Sequence, residues 1–141
     1  MEQIVEFISN HYVLAGLWMG LFVMLVYSYI SGALSPVKEV STRDATMLMN
    51  KEDAIVVDIR PQADFRKGHI IGAKNLKQEQ INKAEFSTLE KNKDKPIIVV
   101  CAMGMSAKRT ASQMLKAGFT KVSVLKGGMS TWQGENLPVI K

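Results

Sequence analysis

The chain changes physical character once, near residue 37. From Phe7 to Val37 there are 31 consecutive residues without Asp, Glu, Lys or Arg. The densest apolar stretch is Tyr12–Ile30, where Ser28 is the only strongly polar residue. Those 19 residues rise roughly 28 Å as a helix at about 1.5 Å each, which matches a hydrocarbon core of about 30 Å. The pattern predicts a single transmembrane helix over 12–30. It leaves a short extracytoplasmic N-terminus at 1–11 and a Gly/Ser/Pro linker at 31–36. Tyr12, Trp18, Tyr27 and Tyr29 are aromatic, and those near the ends suit the headgroup level. A soluble core helix rarely runs so far without a charge. Ser31-Gly32-Ala33 has the small residues of a cleavage site, but a signal peptide has a basic leader and a shorter apolar run.

After the linker the apolar positions fall into short blocks. Ser41 can cap a helix over Thr42–Asn50, with Asp44 three residues on and Ala45, Leu48 and Met49 on one face. Ala54-Ile55-Val56-Val57, Ile97-Ile98-Val99-Val100 and Val122-Ser123-Val124-Leu125 read as strands covered on both faces, as in parallel sheets. Between the last two, Ala107, Ala111, Met114 and Leu115 recur at helical spacing within Ser106–Ala117, and Gly118 supplies a stop. Strand and helix alternate, so 37–141 is expected to be an α/β domain with an open parallel sheet flanked by helices.

Composition and charge refine this picture. The chain has 141 residues, 47% apolar, one cysteine and a net charge of +5. That suits one compact domain and excludes a disordered polyampholyte, a disulfide framework and a Cys-rich zinc module. The charge divides unevenly, at −2 over 1–37 and +7 over 38–141. Lys38, Arg43 and Lys51 follow the apolar stretch and none precedes it. The C-terminal domain is therefore expected in the cytoplasm, with the short N-terminus outside and Cys101 kept reduced. The +7 face suits anionic lipid headgroups and acidic partners. Nucleic acid is not expected as a partner, because the basic residues are scattered among acids. Gly16-Leu17-Trp18-Met19-Gly20 is a small-xxx-small pattern suited to a weak helix dimer or a membrane-protein contact.

Open α/β sheets carry their sites at the carboxyl ends of strands. Asp58, Cys101 and Gly127-Gly128 fall there. After Cys101 a tight loop, Ala102-Met103-Gly104-Met105-Ser106, leads directly into a helix. Its backbone N–H groups can curl into an anion-binding nest, and the helix N-terminus adds positive potential. Both favour the thiolate, the reactive form of cysteine. Lys108 and Arg109 add positive charge nearby or point to solvent. The spacing alone equally allows a buried structural cysteine that ends a strand.

Three ordered motifs carry a resemblance to a known family. The first is Asp58-Ile59-Arg60, then Asp64-Phe65, Gly68-His69-Ile70-Ile71-Gly72-Ala73 and Asn75-Leu76. The second is the loop at Cys101, with Ala117-Gly118-Phe119 following. The third is Leu125-Lys126-Gly127-Gly128, then Trp132, Gly134 and Leu137-Pro138. Together they resemble a single-domain rhodanese, a sulfurtransferase module, over about residues 37–140. The arrangement is also similar to a bacterial rhodanese-like subgroup with one N-terminal membrane span. The resemblance implies that Cys101 takes sulfur from thiosulfate or a protein persulfide, becomes a persulfide, and passes the sulfur to a thiophilic acceptor. It implies no cofactor and no metal. Asp58, at its strand end near the loop, suits a scaffold role, holding loop amides or Arg60, and the resemblance makes His69 structural rather than a base. It also implies packing for Trp132 and a turn near the pocket for Gly127-Gly128. Arg60 and Asp64 are spaced to pair.

Two departures qualify the resemblance. Many loops of the family carry Arg or Lys, whereas Ala102, Met103, Met105 and Ser106 are uncharged. Weak use of the thiosulfate dianion is therefore expected, with Met103 and Met105 better suited to an apolar or protein-bound donor. With one cysteine in the chain, the sulfur acceptor must come from outside. A dual-specificity phosphatase would need Arg at the sixth position after Cys101, which is Ala107. The rival function is a weakly or non-catalytic module that tethers other proteins at the membrane.

Overall fold

The computed structural model describes residues 1–33 and 37–141, with the backbone alone at 31–33. It divides into two compact units, Met1–Ser35 and Pro36–Lys141. Within the first, helix α1 spans Glu2–Asn10 and helix α2 spans Tyr12–Ala33. Tyr12–Ile30 is long and apolar enough to cross a membrane, and none of it is buried against protein. The helix runs on through residues 31–33. The first half of the expected linker is thus helical, and its remainder, 34–36, lies outside the described residues. Helix α1 lies within the short N-terminus read from the sequence, for which no element is predicted, and Ile4, Val5, Phe7 and Ile8 recur at helical spacing there.

The second unit runs β1 (Lys38–Val40), α3 (Thr42–Lys51), β2 (Ile55–Asp58), α4 (Gln62–Lys67), β3 (Lys74–Asn75) and α5 (Gln78–Asn82). A 3-10 turn at Ser87–Asn92 leads to β4 (Ile97–Val100), α6 (Met105–Lys116), β5 (Val122–Leu125) and α7 (Gly128–Gly134). Ser41 caps α3, its Oγ accepting from the Asp44 N–H at 3.1 Å. The strands form one sheet in the order β1-β5-β4-β2-β3, and every pairing is parallel. Central β4 is buried at all four positions, which explains its unbroken apolar run.

Alternation along the strands feeds two cores. Val57, Ile97 and Val99 join Ala107, Ala111 and Met114 of α6, with Leu89 and Phe119. Val56, Ile98 and Val100 join Ala45 of α3 and Met129 and Trp132 of α7 on the other face. Cys101 follows the parity of Ile97 and Val99 and belongs to the α6 core. Period two thus decides on which side of the sheet the thiol lies. Trp132 is buried, and its Nε1–H donates to the Pro138 carbonyl at 3.1 Å.

Candidate active site

Strands β2, β4 and β5 are neighbours, so their carboxyl ends bring Asp58, Cys101 and Gly127-Gly128 into one region. Cys101 leaves β4 at 3% exposure. The Gly104 N–H donates to its Sγ at 2.8 Å. This is the one loop amide bonded to the sulfur among the described hydrogen bonds, where the sequence suggested a fuller nest. Gly104 takes φ +89°, outside the comfort of an L side chain, and caps α6.

The start of α7 holds this loop from behind. The Met129 N–H donates to the Cys101 carbonyl at 2.8 Å, and the Ser130 N–H donates to the Ala102 carbonyl at 2.9 Å. With those carbonyls engaged by α7, the Gly104 amide is presented on the sulfur side. The approach requires Gly128 to lack a side chain. A Cβ there would stand 2.2 Å from the Cys101 carbonyl oxygen, and the residue has φ +58°. The paired glycines therefore seat the loop as well as turn the chain.

Asp58 and Arg60 form a buried pair beside the loop. Arg60 donates from its backbone N–H (2.9 Å), from Nε (3.1 Å) and from Nη2 (2.8 Å) to the Asp58 carboxylate. Nη2 also donates to the Gly68 carbonyl at 2.8 Å. Asn75 Nδ2 donates to the carbonyls of Asp58 and Arg60, each at 3.0 Å. The pairing of Arg60 with Asp64 read from the sequence is therefore corrected. Asp64 lies half-exposed on α4, 3.7 Å from Lys67. The buried carboxylate of Asp58 has the greater need of a cation, and it takes Arg60.

Of the two cations after the loop, Lys108 bonds to Glu39 of β1. The Glu39 carboxyl is held below its usual range by the Lys108 hydrogen bond, which outweighs the opposing effect of burial. The charges of Lys108 and Lys126 add to the lowering. Arg109 is exposed. His69 Nδ1 bonds to the Phe65 carbonyl at 2.9 Å, with the two rings stacked at 3.8 Å. Its backbone pairs with Ile140, so its contacts secure the C-terminal segment. Ala107, at the sixth position after Cys101, is fully buried in the core, and no side chain there can grip a phosphate.

Two clefts flank the loop. One of about 410 Å³ is lined by Arg60, Asp64, Lys67, Ala102, Met103 and Met129, among others. The second, of about 350 Å³, is lined by Glu39, Met103, Gly104, Met105, Lys108 and Lys126, among others. Met103 and Met105 are 71% and 84% exposed, two soft apolar side chains beside the cysteine. Cys101 lines neither cleft. Among the described residues, no group of three or more His, Cys, Asp or Glu could hold a metal ion.

Comparison with known proteins agrees with this geometry. The chain is 44% identical over 141 residues to a protein of Escherichia coli (strain K12) named "Uncharacterized protein YibN", covering 100% of this chain and 99% of that one. It is 38% identical over 96 residues to the thiosulfate sulfurtransferase GlpE of Pseudoalteromonas translucida, covering 68% of this chain and 89% of that one. The polysulfide-sulfur transferase homodimer of Wolinella succinogenes shares the fold, with a TM-score of 0.65 at 20% identity over 84% of this chain and 89% of that one. The model of the rhodanese-like domain matches residues 41–135, and that span holds the whole site from Asp58 to Gly128: the chain belongs to the rhodanese-like family.

Proposed function

We propose that the chain is a membrane-anchored sulfurtransferase that carries sulfane sulfur as a persulfide on Cys101. The observation that carries this reading is Cys101 at the end of the central strand, with the Gly104 N–H aimed at its sulfur. The GlpE relative, named a thiosulfate sulfurtransferase, supports it. With thiosulfate, the Cys101 thiolate attacks the outer sulfur and the donor's S–S bond breaks. Its electron pair leaves with sulfite, and Cys101 holds a persulfide anion. A thiophilic acceptor such as cyanide takes the terminal sulfur as thiocyanate and restores the thiolate. Gly104 supplies the hydrogen bond that a persulfide anion needs, as an oxyanion hole does for oxygen.

The loop adds no cation of its own, and Lys108 is engaged by Glu39. Thiosulfate turnover is accordingly low in this reading, and the exposed Met103 and Met105 favour a donor with apolar surface. Helix α2 is the anchor, a reading supported by the 19-residue apolar stretch Tyr12–Ile30, which is long enough to cross a membrane. In this reading the domain faces the cytoplasm and the N-terminus lies outside an inner membrane, which the lysines and arginine that follow the helix support.

The test is thiocyanate release from thiosulfate and cyanide, together with a mass gain of one sulfur atom on Cys101. Wild type is expected to show both and Cys101→Ala neither. Absence of persulfide with thiosulfate and with benzenethiosulfonate would sink the proposal. Removal of the domain by protease added outside intact cells would overturn the orientation.

One observation favours a second reading, a tethered interaction module. Cys101 is almost covered while Met103 and Met105 stand out from the surface. Full cellular function in Cys101→Ala would select that reading.

A further inference from the structure

Helix α1 carries a clean division of faces. At 3.6 residues per turn, Ile4, Val5, Phe7 and Ile8 fall within one arc of about 160°. Glu2, Gln3, Glu6, Ser9 and Asn10 fill the opposite arc without mixing. No residue of α1 is buried, and each of the four apolar side chains is more than half exposed. Beyond a tilted contact of the Phe7 ring with His11 at 5.3 Å, this face is open to its surroundings, as the exposure of its four side chains shows.

The junction with α2 points to what covers it. One residue, His11, joins the helices. It closes α1 with its N–H on the Phe7 carbonyl (2.9 Å) and opens α2 with its carbonyl accepting the Ala15 N–H (2.9 Å). It does so at φ −131° and ψ 48°, outside the helical region, so the helix path is broken there. The apolar stretch of α2 begins at Tyr12. If that stretch fills the hydrocarbon core, Tyr12 stands at its boundary. Every residue of α1, Glu2 to Asn10, then lies close in sequence to that boundary, and a broken path lets the helix turn along the surface.

We propose that α1 lies in the interfacial plane of the bilayer that α2 spans, with Ile4, Val5, Phe7 and Ile8 facing the acyl boundary. This rests on the reading of α2 as a span. The polar arc carries Glu2 and Glu6 and no Lys or Arg. The helix therefore differs from surface helices that read anionic lipid through basic residues, and the occupant is a zwitterionic lipid surface reached through apolar burial. A second copy of α1 is a poorer occupant, because two turns offer one short apolar strip, whereas the tether holds α1 at lipid permanently.

The test uses the full chain with Cys101→Ser, reconstituted in phosphatidylcholine vesicles. Single cysteines at Glu2, Ile4, Glu6, Ile8 and Leu21 carry a nitroxide, and power saturation compares access of oxygen with access of a water-soluble nickel chelate. Labels at Ile4 and Ile8 are expected to resemble Leu21, with an oxygen-to-nickel ratio several-fold above that at Glu2 and Glu6. Adding anionic lipid is expected not to raise that ratio. Equal nickel access at all four α1 positions, with Leu21 protected, would overturn the proposal and leave the span intact. Nickel access at Leu21 would overturn the span and this inference together. Spin–spin broadening at Ile4 that disappears on dilution with unlabelled chain would assign the face to a second copy and overturn it.

Discussion

Asp58→Asn separates scaffold from chemistry at this site. The carboxylate is 1% exposed and takes the backbone N–H, Nε and Nη2 of Arg60. Removing one charge of a buried pair costs about 3–5 kcal/mol, because the other is left uncompensated. Asparagine keeps Oδ1, so one of the Arg60 bonds survives and offsets about 1 kcal/mol. The net expectation is a loss of about 2–4 kcal/mol. For a domain of this size that is a Tm lower by roughly 10–20 °C. The assay is thermal unfolding of the full chain in detergent, followed by Trp132 fluorescence in a Trp18→Phe background. At a temperature where the variant is folded, the rate of persulfide formation should stay within about threefold of wild type, a difference under about 1 kcal/mol in the barrier. Arg60→Met in the same background completes a double-mutant cycle, and the pair should couple by more than about 1 kcal/mol. A loss below about 1 kcal/mol, or additive single effects, would refute the reasoning, since a pair at this burial cannot be energetically silent.

Further outcomes follow from the loop and its surroundings. Gly128→Ala would force a Cβ to within 2.2 Å of the Cys101 carbonyl oxygen. Displacement of the sulfur is expected to slow persulfide formation on the order of 10²-fold, measured by single-turnover mass spectrometry; an unchanged rate would remove α7 from the seating of the loop. Met105→Arg supplies the missing cation. It should raise kcat/KM for thiosulfate about 2–5-fold, from about 0.5–1 kcal/mol of exposed attraction, and lower the preference for benzenethiosulfonate; a fall with thiosulfate would contradict the electrostatic argument. Glu39 has a depressed pKa through Lys108. Its contribution to stability is therefore present above the ordinary carboxylate value and fades as pH falls through the lower, folded one. The pair is exposed, so Glu39→Gln should change the urea midpoint at neutral pH by no more than about 0.5 kcal/mol equivalent. The difference from wild type should shrink on the acid side, and a large loss at neutral pH would count against this reading.

What the chain reveals in one dimension follows from how each residue is used. Ile97–Val100 was legible as a strand because burial on both faces leaves an unbroken apolar run, and Val122–Leu125 because only the partly buried Ser123 interrupts one. The edge strands Lys38–Val40 and Lys74–Asn75 were not, since an edge is short and half in solvent and its residues carry no such run. Cys101 was legible because topology alone places strand ends together. The sequence offers Arg60 both Asp58 and Asp64 by spacing, and only burial, which a sequence does not print, selects Asp58. The contacts of α7 with the loop join residues far apart in the chain through backbone groups, which leave no side-chain signature. Helix α1 had a readable period, but it is short and adjoins a much stronger apolar signal.

The uncharged loop makes backbone geometry carry what side-chain charge carries elsewhere. A cation at position 103 or 105 would act on an anion over several ångströms and tolerate small displacements. A single N–H aimed at the sulfur acts only in line and at contact. The loop must therefore be held rigidly, and each of its supports is a short-range restraint. The α7 amides bind two of its carbonyls, Gly128 permits their approach, and the left-handed Gly104 turns its amide toward Cys101. Asp58 and Arg60 brace the neighbouring strand end without touching the sulfur. Under the proposed function, stability and reactivity therefore rest on separate residues. Substitutions at Asp58 should move the first, and substitutions at Gly104 or Gly128 the second.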